Sequence, residues 1–249
     1  MNIIMSLHGE NIYAPVIGIQ EFRKGQLAGR EELLFNELHG ERHIDKPHKH
    51  DFFIIVLFER AKGVHNIDFR DHQIGNRQIH VLFPGQVHKW DIEANTTGYQ
   101  LMVHRIFFER FAPYFRFSFT NYMNHPVIPL TGSSFRLLKY EFDAIRDELE
   151  AGDSLHEIIS ARAAVIAAIV SKAAENIFTG FKIYQSNPRL AKFNRLIDQF
   201  FKEEKLVAFY ASKLNISANY LNILCKKNLK ISATQLLRQR GLLEAKRLI

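Results

Sequence analysis

The sequence predicts an α+β protein, with an N-terminal β-barrel and a pair of helices followed by an all-α C-terminal domain. Before about Phe107, short apolar and β-branched runs are separated by turn residues, which favours a barrel or a sandwich. After Phe107, apolar residues recur at steps of three and four, which indicates amphipathic helices. We expect three regions, with the bounds 1–130, 131–186 and 187–249.

The predicted strands are runs that end at turn residues. Residues 52–58 are apolar throughout, which indicates a strand covered on both faces. Gly63 marks a turn, and residues 64–69 then alternate between apolar and polar, as a half-buried strand does. Three further strands are predicted at 78–83, which stops at Pro84-Gly85, at 87–92 and at 99–104.

Two long helices are predicted in the middle of the chain. Residues 133–149 carry one apolar face, and the residues on it are Phe135, Leu138, Phe142, Ile145 and Leu149. The segment Gly152-Asp153-Ser154 ends this helix, and a second helix covers 155–178. We expect an antiparallel pair that either caps the barrel or forms a dimerisation surface, and the sequence leaves both roles open.

Composition indicates a cytoplasmic, globular protein. The 249 residues are 47% hydrophobic and 24% charged, which is ordinary for globular domains. The single cysteine, Cys225, excludes a disulfide within the chain and fits a reducing compartment. We see no signal peptide in residues 1–20, and the apolar helix candidate at 161–174 is too short for a membrane span. We therefore predict no membrane partner.

The positive charge lies almost wholly in the last quarter of the chain. Residues 187–249 hold 13 Lys and Arg against 4 Asp and Glu, a net charge of +9. Subtraction from the totals of 33 and 26 leaves 20 against 22 in residues 1–186, a net charge of −2. A basic block of this kind suggests a polyanion such as nucleic acid, and the alternative is a solvated helical surface.

The basic region has the pattern of a helix-turn-helix. Pro188 suits the first position of a helix whose apolar face continues to Phe201. A second helix is predicted at 206–214. After Asn215-Ile216, Ser217 is a good N-cap for a third helix, which we place at 218–228. Two short helices joined by a tight turn are typical of a helix-turn-helix.

In such a motif, the second helix enters the major groove of duplex DNA. We expect Leu221, Leu224 and Cys225 to face inward. An outward asparagine can bond an adenine edge, an isoleucine can touch a thymine methyl, and lysines suit phosphates. The predicted DNA contacts are Ser217, Asn219, Tyr220, Asn222, Ile223, Lys226 and Lys227. The alternative is an ordinary three-helix bundle whose polar residues face solvent.

These residues resemble the first helix-turn-helix of AraC/XylS-type regulators over 207–222, and the resemblance continues through 224–227 and 231–233. Residues 236–248 resemble the family's linker helix. Most members keep a glycine where this chain has Lys230, and a positive-φ turn there would disfavour lysine by about 1 kcal/mol. The family carries a second motif after the linker helix. Since the chain stops at Ile249, we expect a truncated DNA-binding half.

The front of the chain, about residues 40–105, resembles the cupin-like barrel of many such regulators, and the resemblance lies in 47–53, 63–69 and 83–90. The residues expected to line a ligand pocket are His48, His50, Phe52, Gln86, His88 and Trp90, although the aromatic ones could equally be core. In metal-binding cupins, an HxH pair, a later histidine and usually a glutamate hold a metal. The three histidines fit this pattern, but the glutamate is missing. Regulators of this type typically lack the metal, so we predict no metal and no cofactor.

The sequence therefore predicts a transcription regulator rather than an enzyme. A small effector of unknown identity binds the barrel, changes a homodimer or interdomain arrangement, and so changes binding to double-stranded DNA. Two alternatives remain open. One is a metal-dependent cupin enzyme with an accessory helical domain. The other is a truncated regulator that senses and dimerises without holding DNA stably.

Overall fold

A computed structural model describes residues 14–22, 29–30, 32–116, 119–151 and 155–248. Its strands form two facing sheets, which together we call the barrel. In chain order they are β1 (Val16–Ile17), β2 (Gly29–Arg30), β3 (Leu33–His39), β4 (Arg42–His50), β5 (Phe53–Arg60), β6 (Gly63–Ile67), β7 (Arg70–Ile74), β8 (Gln78–Leu82), β9 (His88–Ile92), β10 (Thr97–Val103) and β11 (Val127–Pro129). One sheet has the order β1-β4-β9-β6-β7, and the other has the order β11-β8-β5-β10-β3-β2.

The helices follow the barrel strands, except for the short α1 and for β11, which returns to the sheet between α3 and α4. They are α1 (Ile19–Phe22), α2 (Arg105–Phe111), α3 (Phe119–Asn124), α4 (Gly132–Glu150), α5 (His156–Ile177), α6 (Thr179–Ser186), α7 (Pro188–Phe200), α8 (Val207–Lys213), α9 (Ala218–Leu229) and α10 (Ala233–Leu248). None of these described helices combines the length and the apolar character that a membrane crossing needs. The predicted α+β class, with a barrel and a helical pair before an all-α region, is confirmed.

Strand β5 explains why residues 52–58 are apolar throughout. Alternate side chains of a strand point to opposite faces of its sheet. Phe53, Ile55 and Leu57 belong to the core between the six-stranded sheet and the helices. Ile54, Val56 and Phe58 belong to the core enclosed by the two sheets. Because both faces of β5 are covered, neither set of positions can be polar.

The helical pair packs on the outer face of the six-stranded sheet. The ring of Phe142 on α4 lies 5.8 Å from that of Tyr99 on β10 and 6.4 Å from that of Phe35 on β3. On α5, Ile166 and Val170 are fully buried in the same core. The pair therefore covers one sheet of the barrel, and its role in dimerisation stays a prediction. The predicted break at residues 152–154 lies outside the described residues.

The predicted strand at 64–69 was wrong in its last two residues. Strand β6 ends at Ile67 because Asp68 and Phe69 have φ values of 49° and 66° and form a tight turn into β7. Phenylalanine is unusual in this region of φ, so the turn carries no recognisable signal in the sequence. Strand β4 was missed because it is largely polar and contains Pro47, beside a shift in its pairing with β9.

The last four helices enclose a core of their own. Helix α7 begins at Pro188, where the side chain of Asn187 accepts a hydrogen bond from the Leu190 N–H at 3.2 Å. Helix α6 ends at Ser186, at the predicted boundary, but it contacts both parts of the chain, because Phe181 packs into the barrel-side core and Tyr184 packs against the C-terminal core. The division into 1–130, 131–186 and 187–249 stays a prediction.

Replacing Lys230 with glycine is expected to raise the free energy of unfolding of the C-terminal region by about 1 kcal/mol. Lys230 follows α9 with φ 62°, the left-handed conformation that glycine adopts without the Cβ strain of other residues. Urea denaturation followed by circular dichroism measures the change. Lys227→Gly, inside the same helix, is the control and should lower stability. Equal effects of the two substitutions would contradict the assigned turn.

Candidate functional site

The turn between α8 and α9 is fixed by local geometry. Asn215 has φ 54°, which reverses the chain after α8. The Ser217 hydroxyl oxygen then accepts a hydrogen bond from the Tyr220 N–H at 3.1 Å, so Ser217 is the N-cap of α9, as predicted. Leu221 and Cys225 are fully buried and anchor α9 in the C-terminal core. This packing fixes which face of α9 points to solvent.

Six of the seven predicted DNA contacts lie on the exposed surface of α9 and its cap. They are Ser217, Asn219, Tyr220, Ile223, Lys226 and Lys227. Tyr220 is 42% exposed and Ile223 is 52% exposed, although both are large apolar side chains. We call this set the α9 face. It combines hydrogen-bonding, apolar and cationic groups, which are the three kinds of group that read DNA edges and phosphates.

Asn222, the seventh predicted contact, is placed differently. It is half-buried, and its amide nitrogen donates to the Ala218 carbonyl at 3.2 Å. Its amide oxygen accepts from the Thr234 N–H at 3.4 Å, in the first turn of α10. The side chain therefore links α9 to the start of α10 while its amide groups are engaged within the protein.

The residues predicted to line a ligand pocket are all buried within the barrel. Phe52 and Trp90 belong to the core between the sheets. Gln86 accepts from the Phe83 N–H at 2.9 Å and donates to an Asp68 carboxylate oxygen at 2.7 Å, so it holds the turn before β9. These contacts give all three side chains structural roles, which was the alternative that the sequence left open for the aromatic ones.

The predicted histidines belong to a larger group that extends through the barrel interior. Sequence reasoning missed two members, His65 on β6 and His80 on β8, both with 0% exposure. From end to end, the group runs from the Ile17 carbonyl through His50, His88, His65 and His80 to the Gln78 amide oxygen. Its three nitrogen–nitrogen distances are 2.9, 3.0 and 2.9 Å in that order. We call this the histidine chain.

Burial keeps the histidine chain neutral. Loss of solvation lowers the pKa of His50 to about 4 and that of His80 to about 3. The same cause, together with the neighbouring rings, places the pKa values of His65 and His88 well below the usual histidine range. His48 lies beside the chain with its Nδ1 3.2 Å from the Lys46 carbonyl, and burial lowers its pKa as well.

An open cleft of about 570 Å³ lies at the mouth of the barrel beside His50. Its apolar wall includes Phe53 and Phe108, whose rings are stacked with centroids 3.5 Å apart. Lys202 in the turn after α7 and Glu244 on α10 line the same cleft, so groups from both parts of the chain meet there. The volume lies within the range of small-molecule sites.

The barrel region of the chain is similar to a known family of protein domains. The protein-family model described as AraC-like ligand binding domain matches residues 29–116. No curated protein sequence matches the chain. Similar solved structures include the AraC-like transcriptional activator CuxR, at 14% identity and a TM-score of 0.44, covering 86% of this chain and 77% of that one. ToxT from Vibrio cholerae O395 is 8% identical with a TM-score of 0.38, covering 84% of this chain and 98% of that one.

The TM-scores of these structures are too low to support a conclusion about mechanism. The similarity to a known family therefore depends on the family model alone. The match covers β2 to β10 of the barrel and reaches past α2. It confirms the resemblance that the sequence indicated for residues 40–105. Residues 29–116, which form most of the barrel, are therefore similar to the AraC-like ligand-binding domain family.

Proposed function

We propose that the chain is an effector-responsive transcription regulator that binds duplex DNA through the α9 face. The observation that carries the proposal is the exposure of Asn219, Ile223 and Lys226 on a helix whose opposite side is fixed in a packed core. A helix presented in this way fits the major groove, and its first turn meets the base edges. Asn219 in that first turn is the residue we assign to base recognition.

Charge supports the same assignment. The net charge of +9 in residues 187–249 attracts the phosphate backbone, and Lys226 and Lys227 are exposed near the end of α9. Phosphate contacts position a protein on DNA and make its affinity depend on salt, while base contacts give sequence preference. We assign Asn222 to positioning, because its hydrogen bonds join α9 to α10.

The cleft beside His50 supports the effector response. Because Lys202 and Glu244 share its walls with Phe53 and Phe108, a small molecule bound there would contact the barrel and the C-terminal helices together. If the effector binds one arrangement of the barrel and the C-terminal helices more tightly than another, its binding would change the affinity of the chain for DNA. Dimerisation is also part of the proposal, and the exposed apolar side chains Leu137 and Tyr140 on α4 are compatible with it.

Asn219→Ala is expected to weaken binding to the preferred DNA sequence by about 1–3 kcal/mol, or roughly 5- to 150-fold, while binding to random duplex changes little. The preferred sequence is first selected from a random duplex library with the wild-type chain. Fluorescence anisotropy then measures both affinities at several salt concentrations.

Asn95→Ala provides the matched control, because Asn95 is an exposed asparagine in a barrel turn, away from α9. It should leave both affinities unchanged. The recognition role of Asn219 would be refuted if its substitution left the preference for the selected duplex intact. Failure of the wild-type chain to enrich any sequence would refute the proposed function itself.

A further inference from the structure

A small cavity lies where the barrel side of the chain meets the C-terminal helices. Its volume is about 70 Å³, and the residues that line it lie on or just before α3 and on α6 and α7. Asn121 on α3 and Asn194 on α7 both line it, and the Asn194 amide nitrogen donates to the Asn121 amide oxygen at 2.7 Å. Their neighbours Tyr122 and Phe193 belong to the barrel-side core and the C-terminal core. This hydrogen bond therefore joins the two parts of the chain.

Asn121 brings a hydrogen-bond donor to this cavity. The residue is only 5% exposed, and its amide nitrogen is enclosed without an acceptor among the described residues. Its amide oxygen is already engaged by Asn194, so the group that needs a partner is the nitrogen. An enclosed N–H group that lacks an acceptor destabilises a folded protein. The cavity therefore favours a ligand that carries an acceptor oxygen.

The charges around the cavity favour an anion. Arg116 and Arg195 both line it, and no carboxylate is among the described residues that do so. Arg116 pairs with Glu175 through Nη1 at 3.0 Å, and the same guanidinium carries further N–H donors. Arg195 is exposed on α7 and makes no ion pair with a described carboxylate. Guanidinium groups suit oxyanions, because their planar N–H donors match the spacing of the anion's oxygens.

The volume of the cavity selects a small ligand. A water molecule takes about 30 Å³ in the liquid, so a cavity of about 70 Å³ holds one inorganic oxyanion and excludes an organic body. We propose that the cavity binds one tetrahedral oxyanion, inorganic phosphate, through the Asn121 amide and the guanidinium groups of Arg116 and Arg195. Bound there, the anion ties α3 to α7 and so stabilises the contact between the barrel side and the C-terminal helices. The proposal is independent of DNA binding.

Isothermal titration calorimetry of the full chain with sodium phosphate, at an ionic strength held constant with NaCl, tests the site. We expect saturable binding of about one phosphate per chain and a melting temperature that rises with phosphate. Sulfate, which has the same shape, should compete. Phenyl phosphate carries the same group on an organic body and should bind more weakly. Tighter binding of phenyl phosphate than of phosphate would overturn the assignment to the free anion.

Asn121→Asp tests the amide donor. Aspartate keeps an oxygen for the Asn194 amide nitrogen, but it replaces the donor nitrogen of Asn121 with a carboxylate oxygen. Because a second negative charge then faces the anion, the saturable phosphate binding should be lost. An Asn121→Asp chain that binds phosphate as tightly as the parent would overturn the proposal.

Arg195→Gln gives an independent test if Asn121→Asp does not fold, because Arg195 is exposed. It should weaken phosphate binding about 10- to 100-fold, as loss of a hydrogen bond to a charged group does. The matched control is Arg189→Gln, since Arg189 is also exposed on α7 but does not line the cavity. It should bind as the wild type does. Equal losses in the two arginine variants, or a folded wild-type chain without saturable phosphate binding, would overturn the proposal.

Discussion

Acidification from pH 6 to pH 5 is expected to lower the free energy of unfolding of the metal-free chain by about 5 kcal/mol. The pKa values of His50, His65, His80 and His88 are all depressed by burial. In this window the unfolded chain binds protons at all four rings and the folded chain does not. Each ring therefore contributes a loss that approaches about 1.4 kcal/mol per pH unit.

The direction follows from these depressed pKa values. The stabilisation is fully present above the ordinary histidine pKa, near 6.5, and is lost as the pH falls towards about 4 for His50 and about 3 for His80. Ordinary carboxylates titrate mainly below this window. Urea denaturation in chelator at pH 5 to 8 measures the effect. His80→Leu removes one titrating ring, so the pH dependence of the free energy of unfolding should decrease by about one proton. A wild-type free energy of unfolding that hardly changes over this pH range would contradict the burial of the histidine chain.

Replacing Gly98 with alanine is expected to destabilise the barrel by about 3 kcal/mol. Gly98 lies on β10 beside a shift in its pairing with β5. A Cβ atom there would lie 2.3 Å from the Leu57 carbonyl oxygen and 3.2 Å from the Phe58 Cα. Both are backbone atoms of fully buried residues of β5, so neither can move aside easily.

Gly241→Ala is the matched control for Gly98→Ala. Gly241 lies inside α10, and a Cβ atom built there meets no other group within 4 Å. Alanine favours a helix interior over glycine by about 1 kcal/mol, so this variant should be more stable than the parent. Calorimetry of both variants measures the pair of effects. Gly98→Ala melting at or above the parent temperature would show that the two strands are not in this close register.

The sequence predicted the elements whose side chains follow one regular pattern. Residues 52–58 indicated a strand covered on both faces, and β5 is buried from both sheet faces. The apolar steps at 133–149 predicted α4 within a residue at each end. Strand β4 has no regular apolar pattern, because most of its residues are polar. It lies next to the two-residue β1 at the end of its sheet.

The candidate sites differ in how far they could be predicted. The helix-turn-helix is local in sequence, so the cap at Ser217 and the buried Leu221 follow from spacing alone. The histidine chain joins β4, β6, β8 and β9, which only the folded barrel brings together. The sequence alone assigned His65 to neither face of its strand, and in the barrel it is buried in step with Ile67. The face of the sheet on which His65 lies follows only from the pairing of β6 with β9, which brings together residues that are distant in the sequence.

The proposed position of α9 in the groove of duplex DNA can be measured directly, because the chain has a single cysteine. Cys225 is fully buried, and burial raises the pKa of its thiol to about 12, so it does not react at neutral pH. A cysteine introduced as Asn219→Cys can therefore be labelled alone with a DNA-cleaving iron chelate. Glu157→Cys, exposed on α5, serves as the control attachment.

Bound to the selected duplex at saturating protein, the label at position 219 is predicted to cut within the selected sequence, at steps next to one major groove. The label at position 157 should cut weakly or at no defined step. Cleavage from position 219 that is no stronger or more localised than cleavage from position 157 would contradict the placement of α9 on DNA.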